Sequence, residues 1–252
     1  MSTRRLSFYL LFILQLVVSG AVTAQKRPVY ARHGIVVSAD RIASAVGRDI
    51  LKQGGNAIDA AVATAFALAG VNPAAGNIGG GGFMMIQLAD GRRAAIDYRE
   101  KAPGAASQKM YLDENGQFIK NLNHAGYLAV GVPGTVAGLT LALEKFGTMP
   151  LSELIKPAIT LAEKGFAIPY YMSQHFKRYA DDFKKYPASA RVFLKTDSTF
   201  YEPGDRFIQT DLAATLKRIA RSGRDGFYRG RTADLVDKNM RINGGLITKK
   251  DL

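Results

Sequence analysis

Apolar residues recur along this chain with two different periods, and the changes of period mark out its elements. From Arg41 to Lys52, Ile42, Val46 and Ile50 fall on one helical face, and Gly54-Gly55 supplies a left-handed stop. The next stretch, Ala57 to Ala69, carries only Asp59 and Thr64 as polar side chains. Being apolar nearly all round, it predicts a central, buried helix. Asn56 stands at its N-cap, with Asp59 near the positive end of its dipole. Two runs follow, Phe83 to Leu88 and Arg93 to Arg99, joined by Asp90-Gly91, a preferred two-residue hairpin turn. The first run reads as buried. In the second, a period of two places Ala95, Asp97 and Arg99 on one face.

Other segments are assigned in the same way. Ile35-Val36-Val37 predicts a short buried strand and Leu128 to Val132 another. Pro133-Gly134-Thr135 opens a helix with Leu139, Ala142, Leu143 and Phe146 at helical spacing and Gly147 closing it. A further helix covers Leu151 to Lys164, reset by Pro157 and ended by Gly165. Lys101 to Asn123 is polar, with a surface turn at Asp113-Glu114-Asn115-Gly116. Beyond Pro169 only helices and loops are expected: Tyr170 to Tyr186, an irregular connection to Asp205, Asp211 to Ser222 capped by Thr210, and Thr232 to Arg241. Thr248-Lys249-Lys250-Asp251 is an Asp variant of the capping box. It begins a helix at the point where the sequence stops, so the chain is expected to be the front of a longer one.

Composition narrows the class. With 252 residues, 47% apolar and 22% charged, the chain can bury a sizeable core in one large domain or two small ones. No repeat or low-complexity linker marks a boundary. The absence of cysteine excludes disulfides and thiolate metal sites. His33, His124 and His175 lie far apart without ligand spacing, which argues against zinc. Arg4-Arg5, the apolar stretch Leu6 to Val18 and Val22-Thr23-Ala24 compose a signal peptide over residues 1–24, cut ahead of Gln25. The apolar run is shorter than the ~20 residues that span a bilayer, so export to the periplasm or medium is expected without a stable membrane anchor.

The net charge is +13, and removing Arg4 and Arg5 leaves about +11. These charges are scattered. The densest mixture, Phe176 to Tyr186, is interrupted by Asp181-Asp182 and reads as a solvated helix face, so no nucleic-acid partner is expected.

Chemistry concentrates between Pro73 and Pro103. The run Gly79 to Gly82 is no dinucleotide fingerprint, because Met84 and Met85 stand where a third glycine would be, and no Lys-Ser/Thr follows. Close backbone packing beneath a site fits it better. Arg99 offers a rigid donor fork suited to a carboxylate; equally, it could pair with Asp97 or Glu100. Thr135 sits at a helix start, where a capping hydroxyl is the ordinary use, with no base nearby in sequence. Neither a Gly-x-Ser-x-Gly elbow nor His-Glu-x-x-His occurs.

AGNIGGGGFMM followed by IDYREKAP resembles the large-subunit signature of the γ-glutamyltransferases, or glutathione hydrolases. ILKQGGNAIDAAVA (50–63), GVPGTVAGL (131–139), KFGTMPL (145–151), GFYRG (226–230) and NGGLITKKDL (243–252) resemble the same family, so the likeness runs from about Gly34 to the end. It implies an α+β fold, the four-layer αββα sandwich of N-terminal-nucleophile hydrolases, incomplete in this chain. It implies transfer of a γ-glutamyl group from glutathione or related amides to water, an amino acid or a peptide, without a cofactor. Sister activities with the same architecture are cephalosporin acylase and poly-γ-glutamate transpeptidase, and an inactive truncated product is a further alternative. The family's nucleophile is a threonine that begins the small subunit after self-cleavage of the precursor, and it lies beyond this sequence. No catalytic residue is therefore expected here. The motif's arginine binds the substrate α-carboxylate, which places that role on Arg99, with Tyr98 a mild aromatic variation. The implied partners are the small substrate, the remaining large-subunit residues and the small subunit.

Overall fold

The structure, a computed structural model, describes residues 28–196 and 199–252. The signal segment expected over 1–24 lies outside the described residues. Two units are present, one ending at Ile35 and one spanning Val36–Leu252. The described residues of the first carry no helix or strand. The second is an α+β assembly and holds every element below.

Helix α1 (Arg41–Lys52) starts where the Asp40 carboxylate accepts from the amides of Ile42 at 2.6 Å and Ala43 at 3.3 Å. Its buried face is Ala43, Gly47 and Ile50, with Ile42 and Val46 half-buried beside it. Gly54 ends the turn at φ +92°. Helix α2 (Ala57–Val71) is the buried centre, two residues longer than expected. Asn56 and Asp59 close a full capping box. A Cβ on Gly47 would lie 2.2 Å from Thr64 Oγ1, so the close approach of α1 and α2 depends on that glycine.

Asp59 does more than cap. Its carboxylate also accepts from the Thr148 amide at 2.9 Å, the Thr148 hydroxyl at 2.6 Å and the Met149 amide at 3.2 Å. One buried charge thereby joins the start of α2 to the turn between α3 (Thr135–Phe146) and α4 (Leu151–Lys164). Burial pushes its pKa up, but these hydrogen bonds outweigh burial and hold it below the usual carboxylate value.

Strands β1 (Phe83–Gln87) and β2 (Arg93–Asp97) pair antiparallel, Phe83 opposite Asp97 and Gln87 opposite Arg93. The connection differs from the two-residue turn expected. Leu88 and Arg92 still pair through Leu88 N–H to Arg92 O at 2.9 Å, and Gly91 N–H reaches Leu88 O at 3.0 Å. The loop is therefore Ala89-Asp90-Gly91, a turn closed by Gly91 in the left-handed region at φ +87°. Nor is β1 buried on both sides. Ile86 and Ile96 face the core, whereas Phe83 is 61% and Met85 82% exposed, because nothing among the described residues covers the outer face.

Five further segments correct the sequence expectations. Ile35-Val36-Val37 forms no strand: Ile35 and Val37 are exposed, and only Val36 packs inward, against Gly47. Leu128 to Val132 contributes a single bridge, Val132 with Lys101. The helix expected over Tyr170 to Tyr186 breaks at Tyr179 into α5 (Tyr170–Arg178) and α6 (Ala180–Lys184). The irregular connection contains α7 (Pro187–Phe193), begun by proline in its first turn. A two-residue pair, β3 (Phe166–Ala167) with β4 (Arg206–Phe207), also falls where no strand was expected. It is too short for a period-two pattern to register.

The remaining helices are α8 (Thr210–Ser222), α9 (Asp225–Tyr228) and α10 (Gly230–Ile242). Gln209, and not Thr210, stands at the N-cap of α8; its side-chain amide donates instead to Gly70 O at 2.9 Å, tying α8 to the end of α2. The main core gathers α2, the inner hairpin face, α3, α4 and α8 around Phe66, Leu139, Leu154 and Leu216. A second, aromatic core packs Phe166, Phe176 and Phe207 together, with Phe193 and Tyr201 alongside. The charged face of α5–α6 is solvated and ion-paired, as expected: Lys184 with Asp181 and Lys185 with Asp182. Among the described residues no helix is long and apolar enough to cross a membrane.

Replacing Asp59 by alanine strands donors on both sides of the joint. The expected loss is about 2–3 kcal/mol in chemical denaturation at neutral pH. Because the folded pKa is depressed, the native advantage is full above the usual carboxylate range and fades as pH falls through the folded value. The difference between native protein and Asp59→Ala should accordingly shrink in acid; a difference that stays constant with pH would contradict this origin.

Candidate functional site

The glycine run is a clasp between the end of α2, the hairpin and the start of α3. Asn77 Oδ1 accepts the Gly80 amide at 2.6 Å and the Thr135 hydroxyl at 3.0 Å. Gly80 O then accepts the amides of Gly134 at 2.7 Å and Thr135 at 2.9 Å, two of the free donors at a helix N-terminus. Thr135 is thus no helix cap; Gly134 holds that position and the Thr135 hydroxyl is spent on Asn77.

This clasp forms a slot for Tyr98. Gly82 and Tyr98 exchange backbone hydrogen bonds at 3.3 and 3.0 Å. A Cβ on Gly134 would come within 2.1 Å of Tyr98 O, and one on Gly138 within 2.1 Å of Tyr98 Cγ. A Cβ on Gly81 would strike the same backbone at 2.5 Å. Tyr98 is half-buried there, and burial pushes its phenol pKa up. Since successive residues of an extended chain point to opposite sides, sinking Tyr98 turns Asp97 and Arg99 outward.

Arg99 stands free of the core with its side chain 65% exposed. Its guanidinium lies 5.8 Å from the Phe83 ring centre and its Nε 3.4 Å from Glu100 Oε2. Asp97 does not pair with the guanidinium; its Oδ1 accepts the Arg99 backbone amide at 3.0 Å. Of the two sequence neighbours that could neutralise Arg99, one is engaged elsewhere and the other touches it at one edge. The fork is left with donors to offer.

Arg99 opens onto a cleft of about 280 Å³ that also exposes Lys101, Arg224, Tyr228 and Asp251. Tyr228 is anchored by its hydroxyl, which donates to Pro133 O at 2.9 Å and accepts from the Ala137 amide at 3.2 Å. Arg224 lies over its ring at 5.1 Å. Burial raises the Tyr228 pKa, opposed by the Ala137 amide and the Arg224 charge. Asp251 is fully occupied by the amide of Gly104 and by the amide and hydroxyl of Thr248, each at 2.8 Å. Those hydrogen bonds, led by that of Gly104, hold its carboxyl below the usual range. Half of the capping box expected at Thr248–Asp251 is formed: Asp251 accepts the Thr248 amide, whereas the Asp251 amide donates to the Thr248 carbonyl at 3.0 Å and not to its hydroxyl.

A larger cavity of about 490 Å³ lies elsewhere, among Tyr171, His175, Phe176, Tyr179 and Phe193, and no lysine or arginine lines it. Arg99, Lys101 and Arg224 line the smaller cleft. The histidines do not converge on it: His175 lies in that larger cavity and His124 in a loop. Sequence reasoning singled out Arg99 but not Asn77, Lys101, Arg224, Tyr228 or Asp251. GFYRG contains Tyr228, yet nothing in its spacing shows that the tyrosine reaches back ninety-odd positions to the start of α3.

Comparison with known proteins places the fold. The structure superimposes on the crystal structure of Helicobacter pylori γ-glutamyltranspeptidase with a TM-score of 0.87 and 50% identity, over 89% of this chain and 64% of that one. A glutathione hydrolase proenzyme of Pseudomonas sp. (strain A14) is 52% identical over 91% of this chain and 40% of its own length. The acylase ACY 1 proenzyme of Pseudomonas sp. (strain SE83) is 43% identical over 91% of this chain and 42% of its own. In class, the molecule is an α+β chain sharing its fold with a transpeptidase. The model of the gamma-glutamyltranspeptidase family matches residues 43–252, and the chain belongs to that family. It spans about 40% of the length of the curated relatives it matches.

The slot makes a contrasting pair of variants. Gly138→Ala, with no room beside the Tyr98 ring, should lower stability by about 1–3 kcal/mol. Tyr98→Phe removes only a 3.5 Å contact to Phe83 O and should cost less than ~1 kcal/mol. Thermal denaturation of both would test the slot; equal effects would remove the steric argument.

Proposed function

We propose that this chain is the front part of a γ-glutamyltransferase or glutathione hydrolase precursor, and that Arg99 holds the α-carboxylate of the γ-glutamyl group. One observation carries the reading: an arginine fixed at a strand end by the buried residue before it, with its guanidinium exposed and only edge-paired. A planar fork of this kind can take both oxygens of a carboxylate. The Phe83 ring beneath it restricts where the fork can swing.

In this reading the reaction is shared with residues beyond the chain. A threonine at the start of the small subunit attacks the γ-amide carbonyl, with its own α-amine as base, and the leaving amine departs. Water or an amino group of an amino acid or peptide then takes the γ-glutamyl group from the threonine. Arg99 performs no proton transfer, because a guanidinium stays charged at any working pH; it sets the distance between substrate carboxylate and reacting carbonyl. The reading further holds that this chain supplies one part of a four-layer αββα sandwich. The remaining large-subunit residues and the small subunit supply the rest. The 43% identity to an acylase proenzyme supports a second reading, in which the same frame serves a sister amidase.

Two measurements test these proposals. In the complete processed enzyme, Arg99→Ala should lower kcat/KM for glutathione by about 2–5 kcal/mol, roughly thirty-fold to several thousand-fold, with KM carrying much of it. Unchanged constants would remove the carboxylate role. Export is the second point: the mature protein collected from periplasm or medium should begin at Gln25 by mass spectrometry, and an intact Met1 would refute cleavage.

A further inference from the structure

The cleft beside Arg99 holds a second guanidinium, that of Arg224. Arg99, Lys101 and Arg224 line it, against the carboxylates of Asp97 and Asp251. Both acids already accept backbone hydrogen bonds, Asp97 from Arg99 and Asp251 from Gly104 and Thr248. No carboxylate pairs with Arg224 among the described residues; the ring of Tyr228 holds it instead. Arg224 and Arg99 are also fixed to a common frame. Tyr98, the residue before Arg99, is sunk between Gly82, Gly134 and Gly138, and Tyr228, beneath Arg224, is bonded to Pro133 and Ala137. Both arginines are thus positioned by the first turn of α3.

Two cations held on one rigid turn suit a ligand with two anionic ends. We infer that Arg224 is a specificity-determining residue that engages the C-terminal carboxylate of a γ-glutamyl peptide donor while Arg99 engages its α-carboxylate. The inference rests on the Arg99 reading and extends it from γ-glutamyl compounds in general to γ-glutamyl peptides with a free C-terminus. The Tyr228 ring orients the guanidinium without neutralising it, as a cation–π contact does. Glutathione carries both carboxylates. Its C-terminal amide carries one.

The test compares these two donors in the complete processed enzyme. Native enzyme should favour glutathione over glutathione C-terminal amide in kcat/KM, and Arg224→Ala should cut that ratio about tenfold. Arg224→Lys, which keeps charge but loses the fork, should restore part of it. An Arg224→Ala ratio equal to that of the native enzyme would overturn the inference. Arg99→Ala should impair both donors alike; if it impairs neither, the Arg99 role falls while the Arg224 ratio still decides its own.

Discussion

The candidate site depends on steric exclusion at Tyr98. Four glycines, Gly81, Gly82, Gly134 and Gly138, surround its backbone and ring, and three of them would place a Cβ within 2.5 Å of it. No attractive contact at this point is large: the hydroxyl reaches only Phe83 O at 3.5 Å. What fixes the residue is that nothing else fits around it, as expected in an interior packed to crystal density. Because Tyr98 cannot rotate outward, Arg99 cannot rotate inward. The direction of the Arg99 side chain is set by its neighbour.

The clasp around Gly80 turns this local fit into a property of the fold. Its carbonyl meets two helix-end amides, and Asn77 bridges the loop to Thr135. The loop, the hairpin and α3 are therefore joined by hydrogen bonds. At the other end of α3, Asp59 anchors the turn into α4 in the same way, with one acceptor shared by several donors. Both ends of α3 are held by polar groups, one by Asp59, buried in the core where an unmatched donor would be costly, and the other by Asn77, which is exposed.

Much of this was legible in the sequence. The apolar stretch beginning at Ala57 announced the central helix, and Asn56 with Asp59 announced its cap. The period of two gave the outward face of β2, including Arg99. Burial failed where a run of apolar letters was read without its partner: Val37 joins no strand and Met85 lies in β1, yet both are open. Short elements such as α9 and the β3–β4 pair contain too few residues for any period to register. The site was half legible. Arg99 stood out because a motif surrounds it, but Arg224 and Tyr228 reach the cleft only through tertiary contacts that no local spacing encodes.

The hairpin carries one more consequence. Among the described residues β1 and β2 pair only with each other, leaving an outer edge on each and an apolar outer face at Phe83 and Met85. An unpaired edge is a template that aligns any strand laid along it, residue against residue. Arg99 sits two positions past the end of β2. A segment that pairs with that edge would have its atoms metered off from the arginine in steps of about 3.3 Å. The hairpin is then a ruler as well as a scaffold, fixing how far each residue of such a segment would stand from the Arg99 guanidinium.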